Sequence, residues 1–391
     1  MSFFIEKRKV IIIMNKRHVI IWTIARPFVV LFAKLRFSFQ YKKAENLPEK
    51  YIVLSNHVTD YDMVFLICSF PRQMYFIASE HIARWKTLYA FLKYAAEPII
   101  RHKGTVAAST VVEALRKIKA GASVCIFAEG IRTWDGVTCP ILPSTGKMIK
   151  SAKCGLVTYK ISGGYFVSPG WCDKGLRKGP ISGAPVNVYT KEQIQAMSVD
   201  EINEIINRDL YENAYEKQLA NPQKYTGTDL AKGLDNLFYI CPVCKKYETL
   251  SSEGNILKCN ACHSTFTYNE YGLFENAPFK TVREYAIWQQ EELKNLVNKN
   301  NLLTSKNAVL KKLIKHEETV LAEGDVTINN ASFSCKDISF SLDKISGMDI
   351  TGRHGLVFSI GKDYYELKAP GNTVKFLHYY RAYKASCNLN S

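Results

Sequence analysis

Tyr51-Ile52-Val53-Leu54-Ser55-Asn56-His57-Val58-Thr59-Asp60-Tyr61-Asp62 runs from a short, mostly apolar segment straight into a histidine and an acid. A second such segment, Ser123-Val124-Cys125-Ile126-Phe127-Ala128, ends in Glu129-Gly130-Ile131-Arg132, and a third, Glu97-Pro98-Ile99-Ile100, ends in Arg101. Short apolar runs of this kind read as buried strands. Three of them, each ending in polar or charged groups, predict an α/β sheet with its site at the strand ends.

The residue types suggest a chemistry. An imidazole titrating near neutral pH suits the removal of a hydroxyl proton, which makes His57 the candidate base. A carboxylate on the far ring nitrogen would fix its tautomer, and Asp62 is placed for that. On one continuous helix, residues five apart would point about 140° away from each other. His57 is therefore expected in a loop, with Thr59 as N-cap and Asp62 in the first helical turn. The plainer reading of Asp62 is an acid favoured at a helix start. Arg132 and Arg101 have the planar fork that grips phosphate, with Gly130 allowing close backbone approach. Taken singly, each arginine also reads as a solvated strand end.

Asn56-His57-Val58-Thr59-Asp60-Tyr61-Asp62 is similar to the Asn-His-x4-Asp motif of the glycerolipid (1-acylglycerol-3-phosphate) acyltransferase family, and Glu129-Gly130-Ile131-Arg132-Thr133 resembles its Glu-Gly-Thr-Arg-Ser block. Arg101 falls where that family carries an arginine between the blocks. Leu156 to Ile161 falls where it carries a later strand, here without the usual proline. The likeness spans about residues 18 to 220. It implies an O-acyltransferase in which His57 is the base, Asp62 its orienter, and Asn56, Arg101, Glu129, Gly130 and Arg132 surround the acceptor. The implied donor is a thioester on coenzyme A or acyl carrier protein, or an acyl phosphate. The implied acceptor is a lysophospholipid, 1-acyl-sn-glycerol 3-phosphate going to phosphatidate, with glycerol 3-phosphate, a lyso-aminolipid or a glycolipid as alternatives. A scaffold that binds lipid without chemistry is the reading from a different class.

The net charge of +16 is concentrated at one end, with eleven Lys or Arg against three Glu in residues 1 to 50. His18 to Phe39 is apolar and aromatic but interrupted by Arg26-Pro27, Lys34 and Arg36. Residues 1–45 therefore read as a basic segment lying on an anionic membrane surface, burying Ile20, Ile21, Trp22, Phe28, Leu31 and Phe32, rather than as a comfortable span. The Val10 to Met14 run is short for a secretory signal. Eleven scattered cysteines argue against a disulfide framework. The expectation is a cytoplasmic protein, peripheral on the inner face of its membrane.

Four cysteines stand apart. Cys241-Pro242-Val243-Cys244 and Cys259-Asn260-Ala261-Cys262 have nearly zinc-ribbon spacing, which predicts a structural zinc on four thiolates, with iron the alternative. The few lysines nearby do not suggest nucleic acid as a partner. The domains expected are an α/β acyltransferase domain at 46–225, a ribbon at 233–275, a connecting helix at 280–300 and a mainly-β domain at 308–391. The last has period-two runs between Val320 and Leu367, followed by a final helix, an order that resembles a pleckstrin-homology-like domain. Asn298 to Asn307 reads as a loop.

Overall fold

All five residues of Tyr51–Ser55 are buried, which requires cover on both faces of their strand. A computed structural model describes residues 16–79, 82, 86–101, 108–314 and 317–389. The first fifteen residues, including Val10 to Met14, lie outside the described ones. The α/β domain runs through α1 (Lys16–Phe37), β1 (Gln40–Tyr41), β2 (Tyr51–Ser55), α2 (Asp62–Ser69), β3 (Met74–Ser79), α3 (Lys86–Ala95), β4 (Ile99–Arg101), α4 (Ala108–Lys119), β5 (Ser123–Phe127) and α5 (Ser144–Ala152). It continues through β6 (Gly155–Ser162), α6 (Gly164–Val167), β7 (Ser182–Tyr189), α7 (Lys191–Ala196), α8 (Val199–Leu210) and α9 (Ala214–Ala220).

The sheet has the order β1-β7-β6-β2-β5-β3-β4, with β6, β2, β5, β3 and β4 mutually parallel and only β6–β7 antiparallel. Alternation sorts the strand residues into two layers. Tyr51 and Val53 pack with Phe65 and Phe70 on one face, while Ile52 and Leu54 pack with Ile118, Ile149 and Ile206 on the other. The parallel strands bring the C-terminal ends of β2, β5 and β4 to one edge. Ser55 pairs with Phe127, which sets the two motif loops side by side.

The amphipathic segment forms the single helix α1, and its charges sort differently from the expectation. Arg26 turns inward, donating from Nε to Ile67 O (3.0 Å) and from Nη2 to Cys68 O (2.6 Å). These are late carbonyls of α2, which lack partners within that helix. Ile21 and Trp22, expected at a lipid boundary, are half-buried and line an apolar cleft, with Trp22 stacked near Phe76. The outward face keeps Ile20, Ile24, Phe28, Leu31 and Leu35, between 54% and 77% exposed. With Arg26 satisfied internally, α1 is the one helix among the described residues long and apolar enough to cross a membrane, by length and composition.

The cysteine module carries β8 (Leu250–Glu253), β9 (Ile256–Cys259), β10 (Thr265–Tyr268) and β11 (Phe274–Glu275) as one small antiparallel sheet. Arg177 fastens it to the α/β domain, lying over Trp171 and Tyr268 and donating to Leu230 O (2.5 Å). Then α10 (Val282–Asn298) starts at a Thr281/Glu284 capping box. From it Gln289 accepts the Tyr239 and Ile240 N–H groups.

The C-terminal region is β12 (Leu303–Ile314), β13 (Glu317–Ile328), β14 (Ser332–Cys335), β15 (Ile338–Ser341), β16 (Ile345–Thr351), β17 (Gly355–Ile360), β18 (Asp363–Lys368) and α11 (Val374–Leu389). The antiparallel order is β15-β14-β13-β12-β18-β17-β16. Part of the expected Asn-rich loop is strand, because β12 begins at Leu303 opposite Ile328. A register shift between Ser305 and Ala308, with Asn307 at φ 54°, hides the period of two there.

Removing the Arg26 guanidinium leaves two helix-end carbonyls short of a charged donor. Arg26→Ala should lower stability by about 1.5–3 kcal/mol, seen as an earlier urea midpoint for the α/β domain, and an unchanged midpoint would reject the capping role.

Candidate active site

Asp62 is 1% exposed and opens α2. Its Oδ2 accepts from His57 Nδ1 and Val58 N, both at 2.7 Å, and its Oδ1 accepts from Thr59 N (3.0 Å) and Thr59 Oγ1 (2.7 Å). Thr59 is not the helix N-cap. The helix begins at Asp62 itself, and Thr59 Oγ1 accepts instead from Tyr61 N within the loop (2.9 Å). A carboxylate only accepts, so the proton sits on His57 Nδ1 and Nε2 carries the lone pair. Phe127, at the end of β5, stacks on the imidazole at 4.5 Å and 21°. His57 thus has a fixed ring, a fixed tautomer and one nitrogen free to take a proton.

The other residues of the first loop hold the frame. Asn56, expected beside the acceptor, extends the sheet instead: its side chain donates to Ile161 O and accepts from Ile161 N, both at 2.8 Å. An amide is the side chain that can do both at once. Glu129, also expected beside the acceptor, accepts from His57 N through Oε1 (2.7 Å) and from Cys139 N through Oε2 (2.5 Å). Burial pushes its carboxyl up to about 8, against the lowering effect of those two N–H groups. Thr133 N in turn donates to His57 O at 3.0 Å. Glu129 and Thr133 therefore tie the second motif loop to the first.

Arg101, Gly130 and Arg132 come together with His57 around a cavity of about 300 Å³. Gly130 has φ +74°, where a side chain would be strained, and the Arg101 guanidinium lies 3.7 Å from where its Cβ would stand. Arg132 is almost fully enclosed, and burial holds it below the usual guanidinium range. Its Nη1 sits 3.1 Å from Asp60 Oδ2, an ion pair outside hydrogen-bond geometry. Asp60 lies inside the motif quoted above but was given no role there.

The residues bearing this arrangement match a known family, since 38–162 fit the family model described as acyltransferase. Over that third of the chain these residues are similar to an acyltransferase. A solved structure with a similar chain is the 1-acyl-sn-glycerophosphate (LPA) acyltransferase from Thermotoga maritima. It is 17% identical, with 48% of this chain and 80% of that one covered at a TM-score of 0.38. Among curated proteins none matches. Downstream of the α/β domain, Cys241, Cys244, Cys259 and Cys262 place their sulfurs within 4.8 Å of one another.

Those sulfurs fit a tetrahedral metal. Cys241–Cys262 and Cys244–Cys259 are 3.7 and 3.8 Å apart, and four thiolates at about 2.3 Å from a zinc ion would have edges of about 3.8 Å. The two halves share one turn, with Lys245 at φ 58° donating to Cys241 O and His263 at φ 62° donating to Cys259 O. His263 is exposed in that turn and is not a ligand of the cluster. Burial pushes the Cys241 thiol up to about 12, while the Ser264 hydroxyl and N–H draw Cys262 down to about 6. A bound cation is what would let all four be thiolates together.

Two expectations test these assignments. Because burial raises the folded value of Glu129 above the ordinary one, Glu129 holds its proton to a higher pH in the folded chain than in the unfolded one. Its contribution to stability is complete below about 4.5 and is lost as pH rises through about 8. Glu129→Gln should flatten the unfolding midpoint across that window, and an identical pH profile would reject the assignment. Cys241→Ser should lose bound metal and expose the ribbon to proteolysis, with full metal content by elemental analysis as the contrary result.

Proposed function

We propose that this chain is an O-acyltransferase that moves a fatty acyl group from a thioester carrier to the free hydroxyl of 1-acyl-sn-glycerol 3-phosphate, giving phosphatidate. The observation that carries the reading is a tautomer-fixed His57–Asp62 pair opening onto the same cavity as Arg101 and Arg132. His57 Nε2 takes the hydroxyl proton as the oxygen bonds to the acyl carbon. The carbon–sulfur bond then breaks, and the leaving thiolate recovers the proton from His57. Arg101 and Arg132 hold the phosphate and so aim the hydroxyl.

An apolar cavity of about 220 Å³ supports a long-chain substrate. It lies between α1, α2 and α3, is lined by Trp22, Met63, Ile67, Phe76 and Phe91, and shares Ala78 with the arginine cavity. The acyl chain occupies it, with the carbonyl toward His57. The outward face of α1 then rests in lipid, on the cytoplasmic side, with acyl-coenzyme A or acyl carrier protein arriving from solution. Zinc in the cysteine cluster is structural, with iron as the alternative. The C-terminal meander closed by α11 resembles a pleckstrin-homology-like domain. A non-catalytic scaffold would not need the free nitrogen of an oriented histidine, and a neutral glycolipid acceptor would bring no anion to the buried N–H groups of Arg101 and Arg132.

Acyl transfer to lysophosphatidate in vesicles, from acyl-coenzyme A and from acyl carrier protein, tests this. The chain should form phosphatidate, and His57→Ala should lower kcat by roughly 10²–10⁴ with acceptor binding within a few fold. Undiminished turnover by that variant would remove His57 as base.

A further inference from the structure

The cavity holding His57 is not built by the α/β domain alone. Ile350, near the end of β16, and Gly352, in the turn that follows, also line it. Gly352 has φ +63°, which the tight β16–β17 turn requires. His354 pins that turn: its Nε2 lies 3.3 Å from Asp173 Oδ1 and its Nδ1 3.1 Å from Gly371 O. Between them sits Arg353. Its Nε is buried with no hydrogen-bond partner, as are Arg101 Nε and Arg132 Nη1. The Arg353 charge is close enough to help depress Arg132.

Arg101 and Arg132 line the cavity, Arg353 follows directly on Gly352, which lines it too, and each of the three guanidiniums carries one buried N–H group to satisfy. Among the described residues, the carboxylate paired with Arg132 is Asp60, which is largely exposed. Like charges at short range repel, and buried unpaired donors are unfavourable, so the arrangement suits a doubly charged ligand with several acceptor oxygens. We propose that Arg353, supplied by the C-terminal domain, is the third guanidinium of the acceptor's phosphate-monoester site. That domain then helps choose the acceptor rather than serving only as an appendage. This rests on the function proposed above for its biological meaning, though the anion site itself can be tested without turnover.

The test uses the full chain and calorimetric binding of sn-glycerol 3-phosphate, with inorganic phosphate as a second arm. Arg353→Ala and Arg353→Gln should weaken glycerol 3-phosphate at least tenfold, Arg353→Lys should recover part of the loss, and Lys362→Ala, an exposed cation on the same domain, should bind as the parent does. A preference for the ester over inorganic phosphate identifies the acceptor as the source of the anion. In transfer assays Arg353→Gln should raise KM for lysophosphatidate with kcat within about threefold, at an unchanged unfolding midpoint and metal content. No binding by the parent chain, or equal binding by Arg353→Gln, would overturn the proposal. Binding that depends on Arg353, in a chain that transfers no acyl group to any acceptor, would instead overturn the acyl-transfer reading and leave this site standing.

Discussion

One buried carboxylate organises the C-terminal end of the sheet. Asp62 receives four hydrogen bonds, from an imidazole, two backbone N–H groups and a hydroxyl, and all four donors belong to residues 57–59. Burying a charge is unfavourable unless such donors replace water. The loop is therefore wound around the acid that orients His57, and loop shape and histidine orientation are set by the same interaction. An amide at position 62 would present N–H groups to donors, which disrupts both together.

The second constraint is strand direction. Because β2, β5 and β4 are parallel neighbours or near neighbours, their polar C-terminal residues meet at one edge without any long-range design beyond hydrophobic alternation. Asn56 and Glu129 convert that proximity into a fixed frame. Each satisfies buried backbone groups of a neighbouring segment, so two residues that look like ligands in the motif act as framework. His57, Arg101 and Arg132 remain as the groups that face the cavity.

Much of this could be read from the chain because the strongest signals are local. The apolar runs before His57, Arg101 and Glu129 became β2, β4 and β5, the CxxC pairs came together, and the Thr281 box opened α10 almost where expected. What escaped was set by tertiary contact. Arg26 interrupts an apolar helix in sequence yet meets carbonyls 41 and 42 residues away. Asn307 interrupts a strand because the strand bulges there. Strand β7 contains Gly183 and Pro185 and pairs antiparallel with β6 across a register shift, so its pattern is faint. Arg353 follows Gly352 in an ordinary-looking hairpin turn, and nothing nearby in sequence marks it.

The cysteine ribbon is the joint of the molecule. It is clasped on one side through Arg177 and on the other through Lys375 with Glu248 and Tyr239 with His378. Thermodynamic linkage then applies to whatever ion the four sulfurs take up. If docking of the C-terminal region favours the geometry of the ribbon, a ligand that strengthens that docking must tighten the ion, the ion must tighten that ligand by the same factor, and loss of the ion must loosen the docking. Metal supply and occupancy of the cavity would in that way be two handles on a single equilibrium.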